Sequence, residues 1–309
     1  MKIELHTPLS IYEIGKRPNQ EDALAQWDNR LFVLCDGMGG HEKGEVASQT
    51  VCQAICDWFS KNVKIEEPFT DDQLKSALAY AYDELDKKDD DSPKKMGTTL
   101  TLLYIHRQGV TAAHIGDSRI YHIRSTEDIL YQSRDHSLVY DLYQSGEITF
   151  DEMATHPQKN VITRAMQPGE ENRVKADIIH ITDIKPGDYF YMCSDGMLEQ
   201  MSNEGLTALL ASDVTDEEKH QQLISATSEN SDNHTAWIIH IKSVLSEEED
   251  QSLVNEEPTA RCNAMNIKPQ PMVEVEDVIT NEDDNVVLVS TPQSRKTIWQ
   301  KIASLFKKK

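Results

Sequence analysis

The chain has 309 residues, a formal net charge of −22 and 38% hydrophobic residues. This length accommodates one large domain or two ordinary ones, and the modest apolar fraction predicts a solvated segment beside a normal core. The negative charge argues against general affinity for nucleic acid, because nucleic-acid phosphates attract Lys and Arg and repel carboxylates.

The cysteines and the N-terminal residues narrow the class of protein. Five cysteines are scattered without a CxxC pair, so neither a disulfide framework nor a zinc site is indicated, and we expect reduced, mostly buried thiols. The opening MKIELHTPLS lacks the apolar region of a signal peptide, and no run of about eighteen apolar residues occurs. We therefore expect a cytoplasmic protein that does not span a membrane.

The first half of the chain alternates strand and helix signals. An apolar run at 31–35 ends at Asp36 and is followed by a glycine-rich stretch, which predicts a buried strand and then a tight loop. Apolar residues at helical spacing predict a helix over 44–60. A capping box formed by Thr70 and Gln73 predicts the start of a second helix.

The remaining elements read mainly as strands. Three strands over 98–124, joined by tight connections, predict an antiparallel meander, and the polar segment 137–160 predicts an excursion with weak helical character. Strands resume at 174–181 and 188–194, a helical stretch with a capping box at Thr215 and Glu218 reaches 226, and 234–241 closes the domain. Hairpins in place of regular crossovers predict antiparallel sheets with helices stacked outside them.

Aspartates occur at the points where strands meet turns. They are Asp36, Asp117, Asp195 and Asp232, and a fifth aspartate, Asp22, precedes the first core strand. A single aspartate in such a place usually caps a turn, but five from different strand ends, if they converged, would not all remain ionised without cations. Mg²⁺ and Mn²⁺ prefer oxygen ligands, and Gly37 leaves room for a backbone carbonyl to approach. Two such ions would activate water, so the pattern favours phosphate-ester hydrolysis.

An arginine precedes the first of these aspartates by five residues. One short loop could therefore place Arg17 beside the metal ions, where two N–H groups of its guanidinium would bind two phosphate oxygens. A solvent-exposed arginine is the alternative interpretation. Arg119, two residues after Asp117, is expected to support its loop and not to contact substrate.

The order of these motifs resembles a known family. RxxxxD at 17–22, VLCDGMGGHEKGEVAS at 33–48, GTTL at 97–100 and HIGDSRIY at 114–121 are followed by RDHSLV at 134–139, VITRAM at 161–166, CSDGML at 193–198 and DNHT at 232–235. This series resembles the metal-dependent PP2C-type (PPM family) serine/threonine protein phosphatases, in particular the bacterial ones. The resemblance spans residues 10 to 242. It implies an α+β fold, a four-layer α/β/β/α sandwich with two central antiparallel sheets.

The resemblance also implies a binuclear Mn²⁺ or Mg²⁺ site at one end of the sheets. By motif position, Asp36 would bridge both ions, Asp195 and Asp232 would complete the first, and the Gly37 carbonyl and Asp22 would serve the second. The position of Asp117, together with Asp195, matches that of a third, weaker ion near the flap at 137–160. Arg17 matches the phosphate-binding arginine. The expected partners are phosphorylated proteins, the substrates of Ser/Thr kinases, and the expected state is a monomer.

Two departures from the family pattern bear on mechanism. Animal relatives carry a proposed general-acid histidine at the position of Met38, so the resemblance assigns no general acid here. His41 is one candidate, and a role in holding the glycine-rich loop is the alternative. The first motif reads PNQED where NED is commoner, which leaves open whether Glu21 serves the metal beside Asp22.

The sequence beyond 243 has a different character. Residues 244–294 are acidic and lack periodicity, which predicts a disordered linker, and 295–309 read as a basic amphipathic helix. That helix would fold back on the protein, dock to a partner or bind an anionic membrane surface. The catalytic domain is expected to be residues 1–243.

Three other functions compete with an active phosphatase. They are a catalytically weak phosphoprotein-binding module of the same fold, a phosphatase of an anti-sigma regulatory cascade, and a calcium-buffering acidic protein. The complete aspartate set and Arg17 disfavour the first, the intact glycine-rich loop disfavours the second, and the absence of EF-hand spacing in the sequence disfavours the third.

Overall fold

The computed structural model describes residues 1–39, 43–89, 95–124, 128–153, 155–169 and 171–246. His41, all but the first residues of the acidic segment 244–294, and the predicted helix at 295–309 lie outside these ranges. None of the helices in the described ranges combines the length and the apolar character needed to cross a bilayer.

Strands and helices follow one another along the described part of the chain. The strands in the described ranges are β1 Lys2–Leu5, β2 Leu9–Glu13, β3 Asp22–Trp27, β4 Leu31–Met38, β5 Gly97–Thr98, β6 Leu100–His106, β7 Gly109–Ile115, β8 Arg119–Arg124, β9 Asp128–Gln132, β10 Asp177–Ile181, β11 Tyr189–Cys193 and β12 His234–Leu245. The helices there are α1 Lys43–Asn62, α2 Asp71–Asp86, α3 Leu138–Ser145, α4 Phe150–Met153, α5 Asn203–Leu210 and α6 Asp216–Thr227, with a 3₁₀ helix over Asp195–Glu199.

The strands form two antiparallel sheets. One has the order β1-β12-β11-β8-β9, with β2 also paired to β12, and the other has the order β10-β7-β6-β4-β3, with β5 paired to β4. Residues of β4 alternate between two clusters: Phe32 and Leu34 lie in the cluster shared by the two sheets, whereas Leu31 and Val33 lie in the cluster shared with α1 and α2. A third cluster joins the first sheet to α5 and α6. The predicted four-layer sandwich is confirmed, and both faces of each sheet are buried.

The helix boundaries agree with their sequence signals. Thr70 and Gln73 form the predicted capping box at the start of α2, and Thr215 and Glu218 form the second at the start of α6. The excursion at 137–160 contains α3 and α4. The last strand ends at Leu245, two residues beyond the predicted end of the domain.

The predicted meander over 98–124 is wrong in its last step. β6 and β7 pair as expected, but β8 pairs with β9 and β11 in the other sheet. The chain crosses between sheets at Gly116, whose φ of +105° suits glycine and whose added Cβ would lie 2.6 Å from Thr99 Cγ2. Burial on both faces gives β7 and β8 the same apolar appearance, so the sequence does not reveal which sheet each one joins. Asp117 consequently lies in the link between the two sheets.

The N-terminal part of the chain also differs from expectation. The sequence pattern places Asp22 before the first core strand and ends the 31–35 strand at Asp36. In the structure Asp22 begins β3, β4 continues to Met38, and Asp22 pairs directly with Asp36 across the two strands. Two further strands, β1 and β2, precede β3. These corrections place two of the five aspartates side by side.

Candidate active site

The aspartates lie at one end of both sheets. β11 and β12 are antiparallel neighbours, so the residues after β11 and those before β12 meet at the same end, where Ser194 N donates to Thr235 O at 3.0 Å. Asp195 follows β11, and Asp232 precedes β12. Asp22 and Asp36 lie at the corresponding end of the other sheet. Asp117 lies between β7 and β8, where the chain crosses from one sheet to the other. All five candidate aspartates are therefore brought to one region.

Asp22 is buried, with 1% of its surface exposed. Its Oδ2 accepts from Ser194 Oγ at 2.9 Å, while its Oδ1 has no hydrogen-bond partner among the described residues. Burial raises the pKa of Asp22 to about 7, side-chain hydrogen bonding with Thr235 and Ser194 opposes this rise, and the charges of Asp195 and Asp232 add to it. A buried carboxylate oxygen without a donor is a position at which a cation would compensate the charge.

The side chains of Asp36 and Asp195 lie near each other. Burial raises the pKa of Asp36 well above its usual value, and the neighbouring charges of Asp22, Asp195 and Asp117 raise it further. A side-chain interaction with Asp195 is among the causes of the raised pKa of Asp36, so these two carboxyls lie close together. The backbone of Asp36 is fixed by Thr99, whose Oγ1 accepts from Asp36 N at 2.9 Å.

Asp117 shares with Asp22 its burial, an oxygen without a hydrogen-bond partner and a raised pKa. It is 8% exposed, and its Oδ1 has no hydrogen-bond partner among the described residues. Burial raises the pKa of Asp117 to about 8, with Asp195 and Asp135 as the next causes. Asp195 has a raised pKa as well, first through burial and then through the charge of Asp232. Mutual repulsion among buried carboxyls is the electrostatic pattern of a cation site.

Gly37 is enclosed by backbone. A Cβ added there would lie 2.1 Å from the Gly44 carbonyl oxygen and 2.6 Å from that of Glu21, which also accepts from Gly37 N at 3.0 Å. The glycine is thus required by the packing of β4 against the first turn of α1. This is a different reason from the access of a carbonyl to metal on which the sequence interpretation rested.

Arg17 reaches the site through its partner Asp232. Its Nη2 donates to Asp232 Oδ2 at 2.6 Å, and half of the arginine side chain is exposed. The hydrogen bond to Asp232 is the main reason for the raised pKa of Arg17. The interpretation of Arg17 as an isolated surface arginine is therefore not supported.

Asn233 fixes the loop that carries Arg17, and sequence analysis missed this role. Its Nδ2 donates to the carbonyls of Ile14 at 2.9 Å and Asn19 at 3.0 Å, and its Oδ1 accepts from Glu21 N at 2.8 Å. The side chain is buried. The only signal in the sequence is its place beside Asp232 in DNHT, which would also fit a simple turn.

Arg119 supports the loop, as the sequence predicts. Its Nε and Nη2 donate to the two carboxylate oxygens of Asp135, each at 2.7 Å. The next residue, His136, accepts from Gly116 N at 3.0 Å through Nδ1. The RDHSLV segment at the base of the excursion thus holds the crossing that carries Asp117.

The donor set fits hard divalent ions. It consists of carboxylate oxygens, beside which Gly37 follows Asp36 in the chain. One buried oxygen each of Asp22 and Asp117 has no donor among the described residues, and the carboxyls repel one another. Oxygen-only donors of this kind suit Mg²⁺ and Mn²⁺.

Comparison with known proteins gives the family. The protein phosphatase 2C profile matches residues 14–238. The chain belongs to the protein phosphatase 2C family. A protein phosphatase 2C-type protein of Streptococcus pyogenes is 35% identical over 254 residues, covering 79% of this chain and 98% of that protein.

Solved structures of PP2C relatives agree with the fold. Serine/threonine phosphatase Stp1 from Staphylococcus aureus is 30% identical, with a TM-score of 0.69, covering 79% of this chain and 96% of that one. The catalytic domain of the phosphatase PstP, described in complex with two manganese ions, is 28% identical with a TM-score of 0.63, covering 77% and 99% of the two chains.

Membership in the PP2C family settles the general activity. The chain is a serine/threonine protein phosphatase of a metal-dependent family, and phosphorylated proteins are the substrates of that family. The alternatives of a weak binding module and an anti-sigma-cascade phosphatase are not favoured, because the relatives are named protein phosphatases.

Proposed function

We propose that the chain removes phosphate from phosphoserine and phosphothreonine side chains at the cluster of five aspartates, with two Mn²⁺ or Mg²⁺ ions held there. Asp36 would contact both ions, Asp195 and Asp232 would complete the first, and the Gly37 carbonyl and Asp22 the second. The observation that supports this most strongly is the buried, donor-free oxygen of Asp22 beside carboxyls whose charges raise one another's pKa. Asp117 would contribute to a third, weaker ion.

Each protein group has a distinct task in the reaction. When bound, the two ions would lower the pKa of a shared water and orient it for in-line attack on phosphorus. The aspartates fix the position of the ions, and Arg17 binds two nonbridging phosphate oxygens after leaving Asp232. The water oxygen bonds to phosphorus and releases a proton to solvent, the bond between phosphorus and the serine or threonine oxygen breaks, and the leaving oxygen takes a proton from solvent. Met38 has no proton to supply for that step.

Metal-dependent hydrolysis is the direct test. Hydrolysis of p-nitrophenyl phosphate and of a phosphothreonine peptide would be measured with added Mn²⁺ for wild type, Asp36→Asn and Asp195→Asn. Wild type is expected to be active and both variants nearly inactive, while Asp72→Asn, an exposed aspartate of α2, serves as the matched control and keeps full activity. Equal rates in wild type and both site variants would refute the assignment.

We further propose that the chain acts as a cytoplasmic monomer whose residues 295–309 attach it reversibly to an anionic membrane surface, with the acidic segment after β12 as the linker. The basis is sequence alone: apolar Ile298, Ile302 and Leu305 at helical spacing among lysines. Sedimentation of the full chain with anionic vesicles at low and high salt tests this, with a chain ending at 294 as control. No binding of the full chain at low salt would remove the membrane proposal, and light scattering would check the monomer.

A further inference from the structure

A second group of metal-ligand side chains lies away from the aspartates. His6 follows β1, Asp216 is the first residue of α6, and His240 lies in β12. His240 is six residues beyond His234, so along an extended strand it is about 20 Å from the end of β12 that meets the active site. One potential ligand atom from each of the three residues lies within 4.8 Å of the other two.

The three side chains are held in place by several contacts. His6 N donates to the His240 carbonyl at 3.0 Å, and the two imidazole rings stack with centroids 4.3 Å apart. The other face of His240 stacks on Tyr189, its partner across β11 and β12, at 4.1 Å. His240 Nδ1 and Asp216 Oδ2 are 2.7 Å apart, and Tyr189 Oη donates to Asp216 Oδ1 at 2.6 Å. The pairing register of β1 with β12 shifts between Glu4 and Leu5, just before His6.

The cluster lines a cavity of about 330 Å³, which leaves room for a ligand that the protein does not supply. Its lining includes His6, Tyr189, Thr215, Asp216, Lys219 and His240. His6 is exposed and the other two candidate ligands are partly exposed, so an ion can enter from solvent.

We propose that His6, Asp216 and His240 bind a divalent transition-metal ion, with Zn²⁺ as the best-suited one. Two imidazoles and a carboxylate are a typical protein ligand set for Zn²⁺, whose fourth position would be taken by water or by a ligand in the cavity. Ligand atoms of a tetrahedral zinc site are about 3.3 Å apart. Metal binding would therefore replace the 2.7 Å contact between His240 Nδ1 and Asp216 Oδ2 and turn the exposed His6 ring out of its stack on His240.

The chemistry of this site differs from that of the aspartate cluster. Imidazole nitrogen favours Zn²⁺, Co²⁺, Ni²⁺ and Cu²⁺ over Mg²⁺ and Mn²⁺, which prefer oxygen. Lys219 lines the same cavity, and its ammonium donates to Tyr189 Oη at 2.9 Å and to the Leu210 carbonyl at 2.8 Å. That positive charge opposes every divalent cation alike, so the selectivity for Zn²⁺ rests on the imidazole ligands. A bound Zn²⁺ would tie the end of β1 to α6 and β12, so it would stabilise the fold.

The test uses the full chain in excess Mg²⁺, which occupies the aspartate site, titrated with Zn²⁺ against a chromophoric chelator. Wild type is expected to bind one Zn²⁺ per chain, with an affinity that His6→Ala lowers at least about tenfold. Zn²⁺ is also expected to raise the Tm of wild type and not that of His6→Ala. His220→Ala removes a partly exposed histidine of α6 that is outside the cluster. It is the matched control and should bind Zn²⁺ as wild type does.

Two results would overturn the proposal. One is equal Zn²⁺ affinity in wild type and His6→Ala, which includes the absence of binding in both. The other is Zn²⁺ binding that survives His6→Ala and disappears in Asp36→Asn, because that ion would belong to the aspartate cluster. Neither result depends on phosphatase activity, so the proposed function stands or falls separately.

Discussion

Arg17 Nη2 lies 2.6 Å from Asp232 Oδ2, so the cation expected to bind the substrate phosphate is paired with a carboxylate of the proposed metal site. Since a metal ion on Asp232 would weaken this pair, ion binding and release of Arg17 toward the phosphate are expected to occur together. The pair thereby connects metal binding with phosphate binding in the proposed mechanism.

Replacing Arg17 is expected to impair phosphate binding and not metal binding. Arg17→Ala should lower kcat/KM for a phosphothreonine peptide roughly a hundredfold, mainly through KM, and Arg17→Lys should recover part of the loss because it keeps the charge without the fork. Steady-state kinetics and Mn²⁺ titration would be compared with Lys16→Ala, a neighbouring exposed cation paired with Glu229. A loss of Mn²⁺ affinity as large as the loss of kcat/KM would contradict this division of roles.

Replacing Asn233 is expected to loosen the loop that carries Arg17. Asn233→Ala removes three partly buried hydrogen bonds and leaves their three backbone partners without this side chain, which should cost about 2–4 kcal/mol in the free energy of unfolding. Urea denaturation measures this cost, and the KM for peptide should rise with it. Asn62→Ala, at the exposed end of α1, is the control and should change neither quantity much. Wild-type stability in Asn233→Ala would show that these bonds do not hold the loop.

The raised pKa values predict how stability responds to pH without metal. Asp22 and Asp117 titrate near 7 and 8 in the folded chain against an ordinary value of 3.8. The folded state therefore holds more protons than the unfolded state between about pH 4 and pH 8, and these groups reduce stability as pH rises through that window. Mn²⁺ binds the ionised carboxylates, so the gain in Tm on adding Mn²⁺ should be larger at pH 8 than at pH 6.

Thermal unfolding in EDTA and in Mn²⁺ at both pH values checks this behaviour. In EDTA, the variant with both Asp22→Asn and Asp117→Asn should lose less stability than wild type between pH 6 and pH 8. If Mn²⁺ raised the Tm of wild type equally at the two pH values, the carboxyls of raised pKa would not be the Mn²⁺ ligands.

Gly37 is expected to tolerate no side chain. Gly37→Ala would place a Cβ 2.1 Å from the Gly44 carbonyl and force β4 away from α1, at a cost of about 3 kcal/mol or more. Gly146→Ala is the control: its Cβ would meet open space, so only the φ of +78° opposes it, at about 1 kcal/mol. Both costs are measurable by urea denaturation. Equal stability of the two variants would show that β4 and α1 can separate without penalty.

The sequence predicts the layers of this fold better than its connections. The capping boxes at Thr70 and Thr215 depend on local chemistry alone, so their helix starts are correct. The sheet that β8 joins depends on long-range packing, and buried strands of both sheets look alike in sequence. For the same reason the direct pairing of Asp22 with Asp36 could not be anticipated.

The same difference between local and long-range signals applies to the active site. Strand-end aspartates and the motif order identify the candidate ligands, and the structure brings Asp22, Asp36, Asp117, Asp195 and Asp232 to one region. The roles of Asn233, Ser194 and Thr99 are hydrogen bonds to residues far away in the chain. No local pattern encodes such bonds, which is why sequence analysis missed them.

Anomalous diffraction at the manganese edge from crystals grown with Mn²⁺ would show whether the aspartates hold the ions. We expect two strong peaks between the sheet ends, each about 2.1 Å from an oxygen of Asp36, with Asp195 and Asp232 on one peak and the Gly37 carbonyl near the other. Manganese bound elsewhere on the chain, with no Asp36 oxygen in contact, would contradict this assignment.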